Sequence, residues 1–526
     1  MRVAIGSDHA GYDLKAELIE RMTKAGYQVV DVGTHSTAAV DYPDFALKVG
    51  LAVIQGRAEL GIMLGGSGQG EQIAPNKLPG IRAALCHETY TSRMSREHND
   101  ANVLSMGARV VGIELAWDIV RTWLDTPFSG DERHKQRLAK VAAFDRKGRF
   151  PLFELAQAGQ SIWYDNIHRG MLQNGEFRTL VKQGVLGVTS NPSIFEKAIG
   201  GGGPYDADLR AFSAAGLNAE QVGERLMIAD IQAACDQLAP VYDLTEGRDG
   251  FVSLELPPAL SHDAPGSVSK AKELWAAVDR RNVMIKVPGT PAGTQAFEEL
   301  TAAGINVNVT LLFAVSAYEA VANAYVRGLE RRAAAGGSLD IASVASFFVS
   351  RIDTLADSLL EERLKTETDA SKRDHLTAAL GKVAIANARV AYARCAAIFS
   401  GPAWAALAAK GARPQRLLWA STGTKNPAYR DVLYVEELIG PDTVNTLPDA
   451  TLKAYLDHGF ARPSLQEGVA EAEALIAGLG ALGLDYDAIT GKLLADGVKL
   501  FADAYDGMVK SIAVRQQSLQ PAATGG

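Results

Sequence analysis

Residues Met284-Ile285-Lys286-Val287-Pro288-Gly289-Thr290 place a single lysine inside an apolar strand that ends at a Pro-Gly pair. Lysine is almost never fully buried unless another group pairs with it. Burial disfavours the ammonium form and frees the amine to act as a nucleophile, as a Schiff-base lysine requires. An edge-strand lysine whose charge reaches water is the simpler interpretation of Lys286 taken alone. The rest of the chain decides between the two.

Seven further apolar segments surround this strand, and helical patterns separate them. The eight predicted strands cover residues 161–165, 187–191, 251–256, 282–287, 305–310, 344–349, 416–421 and 443–447. Eight strand–helix units predict a (β/α)8 TIM barrel with helical insertions, in which polar residues at the carboxyl ends of the strands form the site. Those ends carry Asp165, Asn191, Glu255, Lys286, Asn308, Thr310 and Ser346, with Arg351 just beyond.

The first 145 residues alternate short apolar strands with amphipathic helical patterns. The predicted strands cover residues 2–7, 28–32, 60–64, 81–86 and 103–106. This alternation predicts a doubly wound, Rossmann-like α/β domain, in which helices cover both faces of a parallel sheet. A charged join with glycine and proline follows at residues 147–151. We therefore expect one domain over residues 1–148, the barrel over 155–515 and a disordered tail over 516–526.

The composition argues against several classes of protein. The 526 residues, 47% hydrophobic and 22% charged, are typical of a soluble chain with two or more domains. A formal charge of −8 argues against nucleic acid or an anionic membrane as a partner. The widely spaced Cys86, Cys235 and Cys395 predict no metal site and no disulfide, as in a reduced cytoplasmic protein. We expect neither a signal peptide nor a membrane-spanning segment.

The polar strand ends of the barrel match the needs of a lysine nucleophile. A carbinolamine must be protonated to lose water, and a base must take the proton of the hydroxyl whose C–C bond breaks. Asp165 and Glu255 could share this work, although a helix-capping role would also explain Asp165. Asn191 and Asn308 suit sugar hydroxyls, and Asn191 could also be a helix cap. Arg351, assisted by Ser346, could hold a phosphate.

Five motifs of the barrel half resemble transaldolase, in the same order and over residues 155 to 515. They are Tyr164-Asp165-Asn166, Thr189-Ser190-Asn191-Pro192-Ser193, Ile285-Lys286-Val287-Pro288, Asn306-Val307-Asn308-Val309-Thr310-Leu311-Leu312-Phe313 and Ser346-Phe347-Phe348-Val349-Ser350-Arg351. The resemblance implies transfer of a dihydroxyacetone unit between sugar phosphates without a cofactor. The extra helical material is similar to that of the longer transaldolases. It argues against the smaller fructose 6-phosphate aldolase branch, which splits its substrate.

The resemblance also implies roles for individual residues. Lys286 would form the Schiff base, Asp165 would be the acid/base of C–C cleavage, and Glu255 with Thr310 and a water would serve imine formation and hydrolysis. The implied phosphate contacts are Arg351, Ser346 and Ser421. Shorter members carry an arginine two residues after that serine, a position that Gly423 occupies here. We expect Lys425 to replace it.

A glycine-rich loop, Gly65-Gly66-Ser67-Gly68-Gln69-Gly70-Glu71, follows the third strand of the first half. Glycines let backbone N–H groups approach an anion, and a helix N-terminus adds a favourable dipole. A dinucleotide fingerprint does not fit, because its third glycine position is Glu71 and the loop follows the third strand rather than the first. The loop could instead stabilise an enediolate, with Glu71 as the base that moves a proton between adjacent carbons.

The first half resembles type B ribose-5-phosphate isomerase. The matching motifs are Ser7-Asp8-His9-Ala10-Gly11, Asp41-Tyr42-Pro43, the loop from Gly65 to Glu71, Asn76-Lys77, Arg96-Glu97-His98-Asn99 and Arg109. Many members carry a catalytic cysteine where Gly65 stands, so this chain is similar to the variant group that uses a glutamate. The family site lies at a dimer interface, which implies a homo-oligomer.

This second resemblance implies that Glu71 is the carbon base and that His98 opens the furanose ring. Asp8 and Asn99 would bind hydroxyls. The carbonyl would lie among the loop residues Gly66, Ser67, Gly68, Gln69 and Gly70. The phosphate would be held by Arg109, Arg133 and Arg137 with His9; alone, Arg133 and Arg137 would suggest a solvated charged face.

Together the halves predict a bifunctional enzyme of the non-oxidative pentose phosphate pathway. One half would interconvert ribose and ribulose 5-phosphates. The other would exchange a three-carbon unit between sedoheptulose 7-phosphate and fructose 6-phosphate. Two alternatives are a transaldolase with a non-catalytic sugar-phosphate-binding or dimerisation module, and a sugar-phosphate sensor without turnover.

Overall fold

The computed structural model describes residues 1–54, 56–145, 151–201 and 203–519. The chain divides into two compact units, Met1–Arg149 and Phe150–Gly526. The division falls at the charged join of the sequence, most of which lies outside the described residues. Within the described ranges, no helix combines the length and the apolar character that crossing a membrane requires.

The first unit is built on a parallel sheet of five strands. These are β1 (Arg2–Ser7), β2 (Gln28–Asp31), β3 (Leu60–Gly65), β4 (Ala83–Leu85) and β5 (Val103–Gly107), in the order β2-β1-β3-β5-β4. The helices are α1 (Tyr12–Lys24), α2 (Tyr42–Ile54), α3 (Gln69–Ile73), α4 (Thr89–Glu97), α5 (Ile113–Asp125) and α6 (Glu132–Asp145), with a 3-10 turn at Pro75–Lys77. The predicted doubly wound fold is confirmed. Its strand order reverses between β1 and β3, where such sheets bind ligands at the carboxyl ends of their strands.

The second unit is a closed barrel of eight parallel strands, which confirms the predicted (β/α)8 barrel. The strands are β6 (Gln160–Tyr164), β7 (Gly187–Val188), β8 (Val252–Glu255), β9 (Val283–Pro288), β10 (Val307–Leu312), β11 (Ser343–Phe348), β12 (Arg416–Ala420) and β13 (Thr443–Leu447). They pair in the order β10-β11-β12-β13-β6-β7-β8-β9. The side chains of β9, β10 and β11 are buried throughout, because the barrel interior and the outer helices cover both faces of each strand.

Helices surround the barrel and supply the predicted insertions. Up to β10 they are α7 (Pro151–Gln157), α8 (Arg169–Asn174), α9 (Glu176–Gln183), α10 (Pro192–Gly200), α11 (Asp206–Ala214), α12 (Ala219–Leu244), α13 (Ala264–Val278) and α14 (Pro291–Ala303). After β10 they are α15 (Val315–Ala334), α16 (Ser350–Thr366), α17 (Ala370–Ala379), α18 (Val383–Ile398), α19 (Pro402–Ala408), α20 (Leu433–Glu436), α21 (Asp449–His458), α22 (Val469–Gly478) and α23 (Tyr486–Ser518). A 3-10 turn covers Pro258–Leu260.

The disordered tail predicted from residue 516 is wrong for its first residues. Helix α23 runs through Ser518. It continues because Gln516 Nε2 donates hydrogen bonds to Ser213 Oγ and to the Leu217 carbonyl, both at 3.1 Å. The remainder of that prediction, residues 520–526, lies outside the described residues.

Candidate active sites

A cavity of about 150 Å³ lies at the carboxyl ends of the barrel strands. It is lined by Asp165, Thr189, Asn191, Lys286, Thr310, Ser346, Phe348, Arg351, Ala420, Ser421, Gly423, Lys425, Thr446, Pro448 and Phe501. We call it the inner cavity. Asp165, Asn191, Arg351, Lys425 and Phe501 also line a larger cavity of about 830 Å³, which we call the outer cavity. Most of the predicted strand-end residues therefore meet at one site.

Strand register places Lys286 between two polar neighbours. Glu255 of β8 pairs with Lys286 of β9, which in turn pairs with Asn308 of β10. The Lys286 side chain is 6% exposed; its Nζ donates to the Ser190 carbonyl at 3.0 Å and lies 3.5 Å from Glu255 Oε2. The Phe501 ring centroid lies 5.8 Å from the same Nζ. The predicted buried lysine is thus confirmed, with a carboxylate as its partner.

Glu255 is buried beside the lysine with a shifted pKa. Burial raises the pKa of Glu255 to about 7, against the opposing charge of Lys286. Its Oε2 and the Thr310 Oγ1 are buried atoms that make no hydrogen bond within the described part of the chain. Buried polar atoms need a hydrogen-bond partner, so Thr310 Oγ1, and Glu255 Oε2 in addition to its ion pair with Lys286, could bind a water or a substrate hydroxyl.

Asp165 follows β6 and is partly buried in the same cavity. Its backbone N–H donates to the Leu447 carbonyl at 2.9 Å, which fixes the end of the strand. Its Oδ1 accepts a hydrogen bond from Thr189 Oγ1 at 2.9 Å, and Thr189 lies 2.6 Å from Thr446 Oγ1. Burial raises the pKa of Asp165, while the charge of Lys286 opposes the rise. A carboxylate held in this way can exchange a proton with a ligand in the cavity.

The two asparagines and Ser346 differ in their access to the cavity. Asn308 is fully buried outside the lining: its Nδ2 donates to Ser253 Oγ at 3.0 Å and its Oδ1 accepts from Ser346 Oγ at 2.7 Å. Ser346 does line the inner cavity. Asn191 lines both cavities and also caps α10, because its Oδ1 accepts from the Ile194 N–H at 3.1 Å. Its amide NH2 and the second lone pair of Oδ1 are left for a ligand.

Arg351 and Lys425 bring two cations to the site. Arg351 belongs to the first turn of α16, and its guanidinium carbon lies 5.3 Å from the Phe348 ring centroid. Lys425 comes from the loop after β12 and lines both cavities with Arg351. Ser421 lines the inner cavity, with its Oγ 3.0 Å from Ser350 Oγ. This arrangement suits an anion such as a phosphate.

Sequence reasoning missed several residues of the barrel site. Thr189 lies in one of the transaldolase-like motifs, but nothing in the sequence indicates that it is a partner of Asp165. Phe501 belongs to α23, about 200 residues beyond Lys286, and nothing in its local sequence indicates a place beside the lysine. Lys197 of α10 adds a third cation to the outer cavity. Only long-range packing reveals such residues.

In the first unit, Glu71 takes the space of a side chain that residue 65 lacks. Glu71 belongs to α3 and is 4% exposed. Any Cβ at Gly65 would overlap the Glu71 carboxylate. Burial raises the pKa of Glu71, and the nearby negative charge of Asp8 adds to the rise. A glycine at 65 and a buried glutamate at 71 are therefore coupled in space.

The glycine loop is shaped for close backbone contact. Gly68 has φ +79°, and a Cβ there would lie 2.8 Å from the Met106 carbonyl carbon. Ser67 Oγ accepts from the Gln69 N–H at 3.3 Å. Gly70 lies so close to Tyr42 that a Cβ would be 2.6 Å from its ring. Position 68 therefore requires glycine, because its φ is positive and backbone closes on it, whereas Gly70 leaves room for the Tyr42 ring.

Two groups at the strand ends lie near this loop. Asp8 follows β1 and its backbone N–H donates to the Leu64 carbonyl at 3.1 Å, while its Oδ1 accepts from the N–H groups of Ala10 and Gly11. The Arg109 N–H donates to the Gly66 carbonyl at 3.1 Å, and its guanidinium carbon would lie 3.7 Å from a Cβ at Gly66. Asp8, Glu71, Arg109 and the loop thus form one cluster at the strand-order reversal.

The remaining predicted residues of this half are His9, which directly follows Asp8, and His98, Asn99, Arg133 and Arg137. His9 Nδ1 accepts from the Val40 N–H at 3.4 Å. His98 ends α4, before Asn99, and its ring centroid lies 4.4 Å from that of His134. His134, which the sequence did not single out, is buried and 2.8 Å from Ser129 Oγ.

Arg133 and Arg137 are exposed on α6. Arg133 lies near Asp131, with a 3.5 Å separation between Nε and Oδ2. Their phosphate role stays a prediction.

The fold and its two sites define a two-domain enzyme. The chain belongs to the Transaldolase/Fructose-6-phosphate aldolase family, which matches residues 162–512. Residues 3–141 match the Ribose/Galactose Isomerase family. Both resemblances drawn from the motifs are confirmed.

Similar proteins cover the two halves separately. The chain is 48% identical over 375 residues to Transaldolase 2 of Nostoc sp., across 70% of this chain and 98% of the relative. It is 48% identical over 361 residues to the transaldolase of Thiobacillus denitrificans, across 68% of this chain and 98% of the relative. The solved ribose-5-phosphate isomerase B of Clostridium thermocellum is 53% identical, covering 28% of this chain and 100% of its own, with TM-score 0.28. The solved type B ribose 5-phosphate isomerase of Trypanosoma brucei is 48% identical. It covers 27% of this chain and 97% of its own, with TM-score 0.27.

Proposed function

We propose that the chain catalyses two reactions of the non-oxidative pentose phosphate pathway. The barrel transfers a dihydroxyacetone unit from sedoheptulose 7-phosphate or fructose 6-phosphate to an aldose phosphate. The first unit interconverts ribose 5-phosphate and ribulose 5-phosphate. The observation that carries the first activity is the buried Lys286–Glu255 pair, 3.5 Å apart, whose lysine lines the same inner cavity as Asp165.

The transfer begins when the Lys286 amine attacks the ketose carbonyl. The ammonium must first lose a proton, and the raised pKa of Glu255 suits this carboxylate to accept it. The carbinolamine loses water as protons move through Glu255 and a water bound near Thr310. The protonated imine then withdraws electrons from the C3–C4 bond.

Asp165 serves the carbon–carbon step. Asp165 takes the proton of the C4 hydroxyl as the C3–C4 bond breaks. The electron pair of that bond enters the imine and gives an enamine on Lys286. The aldose phosphate leaves and another takes its place. The enamine attacks the new carbonyl, Asp165 returns the proton, and hydrolysis of the imine frees Lys286.

The polar lining of the cavity would bind the sugar phosphate. Arg351, Lys425 and Ser421 hold the phosphate. Ser346 assists Arg351 at the phosphate, and Asn191 binds hydroxyls. Asn308, which lies outside the lining, acts through its hydrogen bond with Ser346.

The isomerase reaction uses Glu71 as a carbon base. After the sugar ring opens with the help of His98, Glu71 takes the C2 proton of ribose 5-phosphate and returns it to C1, while the hydroxyl proton passes from O2 to O1. The backbone N–H groups of the loop from Gly66 to Gly70 stabilise the enediolate oxygen. Arg109, with His9, Arg133 and Arg137, holds the phosphate, and Asp8 and Asn99 bind hydroxyls.

Assembly and surroundings form part of the same proposal. The chain forms a homo-oligomer through its isomerase unit, acts on small sugar phosphates in the cytoplasm, and binds neither nucleic acid nor membranes. The isomerase products are not transaldolase substrates, so direct channelling gives no benefit. The fusion instead fixes the ratio of the two activities or supports assembly.

Borohydride trapping with fructose 6-phosphate tests the barrel mechanism. Reduction should attach one dihydroxyacetone unit to the peptide that contains Lys286. The Lys286→Arg variant should show no adduct, while Lys492→Arg, on the exposed face of α23, should behave as the unchanged chain does. An adduct on another lysine, or none in the unchanged chain, would refute the mechanism. Release of free dihydroxyacetone without an acceptor would indicate an aldolase instead.

A further inference from the structure

Lys425 reaches the cavities from residues 421–432, which join β12 to α20 and which we call the Lys425 loop. The Lys425 side chain makes no hydrogen bond or ion pair with other residues that the structure describes. Its own contacts therefore do not determine where its charge lies. The position of the Lys425 charge is set instead by the contacts that the loop makes before and after this residue.

The loop and the helix after it are tied to α16 at three places. At the start, Ser350 N–H donates to the Ser421 carbonyl at 3.0 Å, and the two hydroxyls lie 3.0 Å apart. Beyond Lys425, the Tyr429 hydroxyl donates to Asp357 Oδ2 at 2.7 Å. The Tyr434 hydroxyl donates to Asp353 Oδ2 at 2.8 Å. Helix α16 also carries Arg351, so the helix that holds one cation anchors the loop that holds the other.

The two carboxylates are themselves fixed on both sides. Asp353 is 1% exposed and Asp357 is 6% exposed. Asp353 Oδ1 accepts from the Ala384 N–H at 2.7 Å, and Asp357 Oδ1 accepts from the Gly381 N–H at 2.9 Å. Each acid thus uses one oxygen at the start of α18 and the other for a tyrosine. The backbone contacts at and just before the start of α18 explain only the first oxygen of each.

Gly381 adds a steric contact to the Tyr429 tether. It has φ +68°, and a Cβ there would lie 2.7 Å from the Tyr429 ring. The tyrosine therefore packs against backbone that has no side chain, which directs its hydroxyl toward Asp357.

We propose that Asp357–Tyr429 and Asp353–Tyr434 are positioning pairs for the substrate phosphate. They hold the Lys425 loop against α16, so that Lys425 and Arg351 meet the phosphate together. This deepens the proposed transaldolase function and rests on it. The pairs make the barrel prefer phosphorylated over unphosphorylated acceptors.

The Tyr429→Phe variant of the whole chain tests the proposal. Its KM for erythrose 4-phosphate should rise by roughly three- to tenfold, the usual effect of one lost hydrogen bond. The rate at saturation, and kcat/KM with unphosphorylated erythrose, should stay within about twofold. Asp357→Asn keeps a hydrogen bond to the tyrosine, because its NH2 can donate to the hydroxyl while its oxygen still accepts from the Gly381 N–H, and it should show the smaller KM change. Tyr392→Phe removes a hydroxyl that donates to Pro441 outside the site, and should match the unchanged chain.

Two results would overturn the proposal. An equal loss of kcat/KM with erythrose 4-phosphate and with unphosphorylated erythrose would mean that the tyrosine only supports the fold. An unchanged KM for erythrose 4-phosphate would mean that the pair does not position the phosphate site.

Two controls separate this proposal from the proposed function. Borohydride trapping of Lys286 in the unchanged chain tests the function itself. The affinity for inorganic phosphate, measured by calorimetry, tests the tether without turnover: it should fall in Tyr429→Phe by the same factor as the KM rises. An affinity equal to that of the unchanged chain would contradict the proposal even where trapping failed.

Discussion

Lys286 and Glu255 form a buried pair of opposite charges whose two members are each costly to bury alone. Removing one partner from such a pair usually destabilises a protein by about 3–5 kcal/mol, because the other charge is left uncompensated. Apolar residues of similar volume often serve stability as well as or better than an ion pair. The pair is therefore better explained by chemistry than by stability, since it can pass a proton between two groups.

The raised pKa of Glu255 predicts a pH dependence of the transfer. This carboxyl is neutral below about 7 and ionised above it, and only the ionised form can accept a proton from Lys286. We expect kcat to rise with pH through about 7. Glu255→Gln should lose this inflection and lower kcat by roughly a hundredfold. The pH profiles of both forms check this, with Glu473→Gln as control, because the Glu473 side chain is 45% exposed. An inflection that survives in Glu255→Gln would assign it to another group.

Gly65 and Glu71 make a second residue-scale prediction. In Gly65→Ala the added methyl group would overlap the Glu71 carboxylate and displace it. We expect ribose 5-phosphate isomerisation to fall by roughly a hundredfold, the usual cost of losing a general base, with transaldolase activity unchanged. Gly112→Ala is the matched control, since nothing lies within 4 Å of its added Cβ. Full isomerase activity in Gly65→Ala would argue against Glu71 as the base.

The site residues that the sequence could reveal were polar residues within apolar strands or at their ends. Lys286, Asp165 and Glu255 interrupt or end apolar strands, and parallel strands bring such ends together. Thr189 and Phe501 carry no such signal, because a threonine in a strand and a phenylalanine in a helix are ordinary core residues. Their places depend on packing between distant elements.

At the scale of elements, the strands were predictable in number and type but less so at their ends. β7 was expected to reach Asn191 and ends at Val188. Beyond it, Ser190 Oγ bonds to the Ser253 carbonyl and Asn191 begins α10 as its cap. Periodicity could not show this, because side-chain capping replaces the strand ladder there. The extra length of α23 also depends on distant partners of Gln516.

Close packing of α14 on α15 gives a prediction at this scale. A Cβ at Gly328 of α15 would lie 2.7 Å from Thr301 Cβ and 2.9 Å from the Glu298 carbonyl of α14. Gly328→Ala should therefore destabilise the barrel by about 1–3 kcal/mol. Gly491→Ala in α23 meets nothing within 4 Å and should stabilise it by about 0.5–1 kcal/mol. The temperature at which transaldolase activity is lost should fall in the first and rise in the second; equal values would show that the helices can separate at no cost.

For the whole molecule, the two units carry separate clusters of chemical groups. The isomerase cluster lies between β1 and β3, and the transaldolase cavity lies at the carboxyl ends of the barrel strands. Each cluster has its own carboxylates and its own positive charge, Arg109 in the first and Lys286, Arg351 and Lys425 in the second. We therefore expect substitutions in one unit to leave the other activity unchanged.

Assembly gives a further prediction for the whole chain. If the isomerase unit drives oligomer formation, sedimentation equilibrium should show an oligomer for the intact chain and a smaller species for residues 151–526 alone. The same oligomer from both would place the interface on the barrel. Separate halves that matched the intact chain in activity, stability and assembly would remove the reason proposed for the fusion.

The most direct test measures both activities in the intact chain and in two variants, Glu71→Ala and Lys286→Arg. The intact chain should convert ribose 5-phosphate to ribulose 5-phosphate and transfer the three-carbon unit from fructose 6-phosphate to erythrose 4-phosphate. Glu71→Ala should lose only the first activity and Lys286→Arg only the second. An intact chain that transfers the unit but does not isomerise the pentose would contradict the claim of two enzymes in one chain, and leave a transaldolase with a non-catalytic first unit.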